Sequence, residues 1–415
     1  MERVRAFGDR TFSAMKVRNY RLWFIGQGIS LSGTWMQTVA QGLLVLHLTG
    51  SGTALGLVTA LQALPVLLLG PWGGVLVDRL PKRALLYATQ AIAGSLAMAI
   101  GIAVATGAVR MWMVYVVSLA LGLVKVVDNP VRQTFVLEMV GQKELVNAVS
   151  LNSTEINLAR VIGPTIAGVL IATVGLAACF IIDALTYIAV IAMLAMMRTD
   201  ELHPTPLAPR AAGQLREGFR YVRSSPPILI TLLMMAIIGT FTYEFSVSLP
   251  IFAETTFAGG ASAYAAMTAA MGAGAVVGGL YTASRPSNAG PLLARAAAFF
   301  GVAVLLTAVA PTLLLAIVAL LVVGFFSISF TALGNATLQL ESAPEMRGRV
   351  MALWSVAFLG STPIGGPIVG WLGEHVGPRW ALVVGGVAAL AAAGLGLAAL
   401  RRPTGEPVSR QAPAD

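Results

Sequence analysis

Apolar blocks of about twenty residues recur along the whole chain, and they constrain its fold more than any other feature. A helix rises about 1.5 Å per residue, so some 20 residues cross the roughly 30 Å of hydrocarbon in a bilayer. Blocks of that kind read at 21–47, 53–77, 84–106, 111–138, 147–172, 177–198, 228–252, 263–283, 291–310, 312–338, 350–372 and 378–400. They do not alternate apolar and polar residues over ten positions, as the strands of a membrane barrel would. The pattern therefore predicts an all-α membrane protein with twelve transmembrane helices. Charge agrees: only 11% of the 415 residues are charged and 57% are hydrophobic, whereas a soluble domain carries about a quarter charged residues. There are too few charges to give this chain a polar skin.

Lys and Arg set the expected orientation. Arg3, Arg5, Arg10, Lys16, Arg18 and Arg21 precede or open the first block, and Arg210, Arg216, Arg220 and Arg223 lie between the sixth and seventh. The loops on the other side offer Arg110 and Arg379. Both termini are thus expected in the cytoplasm of a bacterial inner membrane. The net charge of +9 then belongs to this bias, and anionic lipid of the inner leaflet, not nucleic acid, is its expected partner. No cleavable signal is evident, because the basic start runs into a full-length span. The single cysteine, Cys179, excludes an intrachain disulfide, and His47, His203 and His375 are scattered, so neither a metal site nor any other cofactor is expected. No G-x-x-x-x-G-K-[ST] loop is present, which argues against ATP as the energy source.

Residues 199–225 form the longest polar stretch. Its end, "QLREGFRYVRSS", reads as a short basic amphipathic helix. This divides the chain into a six-helix half at 1–198, a cytoplasmic linker at 199–225, a second six-helix half at 226–400 and a tail at 401–415. The halves resemble each other. At an offset of 202, Leu151 meets Leu353, Ser153 meets Ser355, and Gly163, Gly168 and Gly175 meet Gly365, Gly370 and Gly377. Repeated helical halves with a site between them are a common transporter plan.

One loop carries more charge than its surroundings: "GGVLVDRLPKRALL", Gly73 to Leu86, holds Asp78, Arg79, Lys82 and Arg83 within six residues. Together with Gly74, it resembles the loop between spans two and three of the major facilitator superfamily, roughly G-x-L-x-D-R-x-G-R-R, with Pro81 in place of a glycine. The resemblance covers nearly the whole chain. It implies two six-helix bundles and a gate in which this loop locks against span eleven near Arg349 and Val350. The second half keeps Gly278 and Gly279 but not the acid, so a one-sided lock is expected. "NYRLWFIGQGISLSGTWMQ", "VDNPVRQ", "NLARVIGPTIAG" and "RGRVMALWSVAFLGSTPIGGP" look like the drug:proton antiporter branch, which includes enterobactin exporters and macrolide efflux proteins. Gly163, Pro164 and Gly168 resemble the fifth-span antiporter signature in part, since Ala167 stands where a paired glycine would be.

Several buried polar positions are candidates for work. Gln27, Ser30, Thr34, Gln37 and Gln41 recur at steps of three and four and share one helical face. They either line a substrate cavity, as the resemblance implies, or bond helix to helix. Tyr243 and Trp35 are candidate aromatic surfaces. Asp128 and Arg132 stand one turn apart on span four, around Pro130, and Glu155 and Arg160 lie on span five. Counted inward from the terminal side, Arg132 is level with Glu155 and Asp128 with Arg160. With Lys125 they form an expected neutralising network, because a lone charge at mid-bilayer costs about 2.5–3.5 kcal/mol. Glu244 sits deep in span seven with no buried cation in spans seven to twelve to pair with it. It is the first proton-coupling candidate, ahead of Asp128 and Glu155. Asp183 is expected nearer the surface and more easily hydrated.

Taken together, these features predict a secondary transporter that exports small amphipathic molecules (a drug, siderophore or secondary metabolite) in exchange for protons, working as a monomer. A proton-coupled uptake symporter, a transport-dead receptor and a multispanning membrane enzyme are the alternatives. The enzyme is disfavoured, because no Ser/His or His/Asp pairing with a supporting third group sits at a span end.

Overall fold

The computed structural model describes residues 12–203, 220–283, 289–343 and 346–400. The side chains of Gly74 and Asp78 lie outside the described residues, as do residues 214–219 of the expected linker helix. Among the described residues the regular structure is helical, with no strand. The first helix is α1 (Arg18–Thr49). It is followed by α2 (Gly52–Arg79) and α3 (Lys82–Ala105). A long run then makes two spans, α4 (Met111–Leu145) and α5 (Asn147–Thr173). The chain kinks at Gly141, near the end of the α4 range, where a φ of 66° suits a residue without Cβ. After α6 (Leu176–Ala195) come α7 (Pro226–Thr256), α8 (Gly260–Ala283), α9 (Ala289–Val309), α10 (Leu313–Glu341), α11 (Arg347–His375) and α12 (Pro378–Leu400).

Eleven of these are long and apolar enough to cross a membrane. The exception, α1, has the length, but its polar stripe lowers its hydropathy. The outward faces carry Trp72, Leu280 and Leu314, each about two-thirds exposed or more, a surface that suits lipid and not water.

Two spans are interrupted, and two more carry a proline within the helix. In α7, regular helix stops at Phe241 and resumes at Phe245. In α11, it stops at Leu359 and resumes at Thr362, with Pro363 in the first turn. Pro130 and Pro164 lie within α4 and α5. Each proline removes a backbone donor and crowds the preceding turn, so such sites are tolerable in lipid only where neighbouring helices cover the freed groups.

Helices α1–α6 pack mainly among themselves, as do α7–α12, and two pairs make most of the contact between the groups: α2 with α11, and α5 with α8. These pairs exchange under a shift of six helices, as a pseudo-two-fold relation requires. The joining contacts lie toward the end opposite the termini. Gly52 meets the backbone of Gly370, and Gly56 meets those of Gly366 and Pro367, so closely that a Cβ at either would collide. Glu374 of α11 caps the start of α2, its Oε2 accepting from Ser51 Oγ (2.7 Å), Thr53 N (2.9 Å) and Thr53 Oγ1 (2.6 Å). Pro250 packs on Gly42, and Ala265 on Gly168.

At the terminal end, several bonds lie within one half. Arg18 donates to Met196 O and Asn19 Nδ2 to Arg198 O. Residues 220–224 are helical, and Tyr221 Oη accepts from Ala343 N at 2.9 Å, tying the linker's end to the second half.

Candidate functional site

A cavity of about 320 Å³ opens between α1, α3, α4, α5 and α6 in the first half. Its polar wall is organised by Asp128, which is 8% exposed. Asp128 Oδ1 accepts from Thr89 Oγ1 at 2.7 Å and from Gln90 Nε2 at 2.8 Å, and Oδ2 accepts from Arg132 Nε. The i, i+4 spacing brings Asp128 and Arg132 together on one face of α4. The rest of the guanidinium fork is used as well, with Arg132 NH1 donating to Gln27 Oε1 and NH2 to Gln90 Oε1 at 3.1 Å. Its carbon lies 5.9 Å from the centre of the Trp23 ring. A buried charge pair is tolerable when its remaining donors and acceptors are satisfied, and here α1 and α3 supply them.

Lys125 lines the same cavity, yet among the described residues no carboxylate stands within ion-pair distance of it. Gln27 and Thr34 also face the cavity. Ser30 and Gln37 are buried, and Gln41 Nε2 donates to Ser118 Oγ on α4 at 3.1 Å. The polar stripe thus divides along its length, cavity wall at the terminal end and helix-to-helix bond at the other.

Two members of the expected network stand apart. Arg160 makes no ion pair among the described residues; its guanidinium lies 4.9 Å from the Trp35 ring centre, so Asp128 is matched with Arg132 and not with Arg160. Glu155 is 5% exposed, and neither of its carboxyl oxygens makes a hydrogen bond. Gly28 gives it room, since a Cβ there would lie 2.9 Å from Glu155 Oε1. Asp183 corrects an expectation. Far from being hydrated, it is fully buried and inserted against α1, where Gly33 has no side chain to exclude it; its Oδ2 has no hydrogen-bond partner.

Glu244 is 2% exposed and occupies the break in α7. It faces α11, where a Cβ on Gly365 would approach Oε1 to 3.2 Å and one on Gly366 would approach Oε2 to 3.5 Å. Thr362 adjoins it. Its Oε1 makes no hydrogen bond. Tyr243 beside it lies outside the cavity, donating to Ser327 O at 2.8 Å and packing on Phe358 and Phe300.

The charged loop has contacts within its own half. Lys82 pairs with Glu138 at 2.5 Å, and Arg83 NH2 donates to Leu194 O at 2.7 Å. Arg79 is exposed, while the lock itself, through Asp78, lies outside the described residues. Gly163 lets α5 rest on α1 against Ser32 and Trp35, and Gly168 meets Ala265 of the other half. Pro164 lies between them within α5. No group of three or more His, Cys, Asp or Glu that could hold a metal occurs among the described residues.

Sequence reasoning missed Thr89, Gln90, Trp23 and Tyr187, the last a cavity-lining residue on α6. The first two follow the charged loop by a turn or two on α3, and their only signal was two adjacent polar residues in an otherwise apolar block.

The model of the transmembrane secretion effector family matches residues 10–413. The enterobactin exporter of Shigella flexneri is 25% identical over 382 residues, covering 91% of this chain and 88% of that protein. Macrolide efflux protein A of Streptococcus pyogenes is 22% identical, covering 90% and 94%. The staphyloferrin A transporter of Staphylococcus aureus is 25% identical over 244 residues, so the matched part spans 60% of its length and 58% of this chain. Among solved structures, a bacterial homologue of the human lysosomal transporter Spinster, inward-facing and occupied, superposes with a TM-score of 0.74 at 14% identity over 93% of this chain and 97% of that one. An inward-facing bacterial homologue of ferroportin gives 0.69 at 15%, over 93% and 99%. These likenesses show the fold. The family and its relatives are transporters and not enzymes, and the chain belongs to the transmembrane secretion effector family of the major facilitator superfamily.

Proposed function

We propose that the protein exports small amphipathic molecules across a bacterial inner membrane in exchange for protons, with both termini in the cytoplasm and the monomer as the working unit. The halves at 1–198 and 226–400, joined by 199–225 and followed by the tail at 401–415, rock about the space between them. Closure at the far end, held by α2 on α11, leaves the terminal side open, and the reverse state requires those contacts to part.

The reading is carried by Glu244, a buried acid at a helix break with an unsatisfied oxygen and, among the described residues, no cation in ion-pair distance. An intramembrane carboxyl of that kind is costly to keep charged and suits a group that loads and releases a proton. Its neighbours Gly365 and Gly366 belong to α11, the helix that closes on α2, so protonation there bears directly on the moving interface. Asp128 and Glu155 are the secondary proton carriers, Asp128 being the more tightly engaged. In the opposite state, Asp78 with Gly74 and its neighbouring cations closes the terminal side against α11.

The direction of transport follows the named relatives, an enterobactin exporter and a macrolide efflux protein. The test uses purified protein in vesicles loaded with a pH-sensitive dye. Addition of a macrolide or of enterobactin should drive proton movement opposite to substrate movement. Substrate and proton moving in the same direction would make it a symporter and overturn the reading.

A further inference from the structure

Resting on the transport reading, we propose that the first-half cavity binds a soluble ligand carrying an anionic oxygen group, a carboxylate or catecholate, and that Lys125 is the residue that holds it. Asp128 is the acid nearest to hand, but both its oxygens are already engaged by Thr89, Gln90 and Arg132. Arg132 is in turn matched by Asp128 and by the amide oxygens of Gln27 and Gln90. Lys125 is left in the wall of the cavity with no carboxylate in ion-pair distance among the described residues. An ammonium so placed is costly unless a counter-charge reaches it.

Gln27 supplies a second vacant donor. Arg132 has only donors to offer, so the Gln27 atom facing it is the carbonyl oxygen. The amide nitrogen is then fixed on the other side, where it is buried and makes no hydrogen bond. The cavity therefore presents a cation to a ligand rich in acceptors, with the Gln27 amide as a buried donor behind its wall, while its own acid is occupied. Its volume of about 320 Å³ lies within the roughly 300–1,000 Å³ of small-molecule sites, and Trp23, Leu31 and Ile156 give the ligand's carbon frame an apolar seat. A cationic ligand would meet Lys125 unfavourably.

The test is calorimetric titration of the full-length protein in nanodiscs with three probes of one shape: 3,4-dihydroxybenzoate, its neutral amide and the corresponding benzylamine. A charge-assisted bond to Lys125 should make the carboxylate bind about tenfold more tightly than the amide. Lys125→Gln should reduce that preference to about twofold, and Lys125→Arg should keep most of it. Equal or tighter binding of the amide or amine, a preference that survives Lys125→Gln, or no binding of the carboxylate overturns the proposal. Equal affinity in phosphatidylcholine and phosphatidylglycerol discs supports a soluble ligand; loss in phosphatidylglycerol assigns the site to a lipid headgroup and overturns it. A carboxylate preference without pH-driven flux would remove the transport reading and leave the anion site. pH-driven macrolide flux by the wild-type protein, with no carboxylate preference in that same protein, would do the opposite.

Discussion

The contact of α2 on α11 makes a quantitative prediction for Gly56→Ala. An added Cβ would sit 2.6 Å from Gly366 C and 2.9 Å from Pro367 Cα, and nearer still to Gly366 O. These are backbone atoms of a helix and cannot swing aside, so α2 and α11 must separate by about 1 Å to reach ordinary contact. Overpacking of this kind costs about 1–3 kcal/mol. The cost falls on the conformation closed at the far end and not on one in which these helices part. At about 1.4 kcal/mol per factor of ten, the closed population should drop roughly 5- to 150-fold relative to the open one. Alanine's better helix propensity acts on both states and cancels.

Gly70→Ala is the control, on the same helix but with nothing within 4 Å of the added carbon. Spin labels at Leu48 and Val376, both exposed at the far end of opposite halves, report the gap, with the sole cysteine, Cys179, replaced by alanine. Pulsed dipolar distances should lengthen in Gly56→Ala and stay at the wild-type value in Gly70→Ala. Identical distributions in the two variants, with both folded, would refute the reasoning.

Other substitutions test the remaining contacts. Glu374→Gln removes the charge that caps α2 and should lengthen the same distance by a smaller amount; no change would exclude Glu374 from closure. Arg132→Ala strands Asp128 and should lower stability by about 3–5 kcal/mol, read as a drop in melting temperature in detergent. Exchanging the pair, Asp128→Arg with Arg132→Asp, should recover part of it, and strictly additive effects would deny the coupling. Asp78→Asn should slow flux at normal expression and unchanged melting temperature, and wild-type flux would rule out the loop as a gate.

How far the sequence could be read depended on the range of the interaction. Span length is local, so the helices were legible from composition and periodicity alone. The Asp128–Arg132 pair was legible for the same reason, since one turn of helix sets their spacing. Thr89 and Gln90 were not, because their value lies in the packing of α3 against α4, which no local pattern encodes. The assignment of Arg160 to Asp128 failed on direction: depth along a helix fixes level but not facing, and Arg160 turns to Trp35. Asp183 failed similarly. Its count of residues from the helix start suggested access to water, but Gly33 on α1 opens a slot that buries it.

The central claim, proton-driven export coupled through Glu244, is tested most directly by accumulation of a macrolide or enterobactin in reconstituted vesicles when only a pH gradient is imposed. Wild-type protein should concentrate the compound against its gradient. Glu244→Gln, fixed in a form resembling the protonated acid, should still bind it and exchange it down its own gradient but show no accumulation driven by pH. Accumulation by Glu244→Gln at the wild-type rate would contradict the account and pass the coupling role to Asp128 or Glu155.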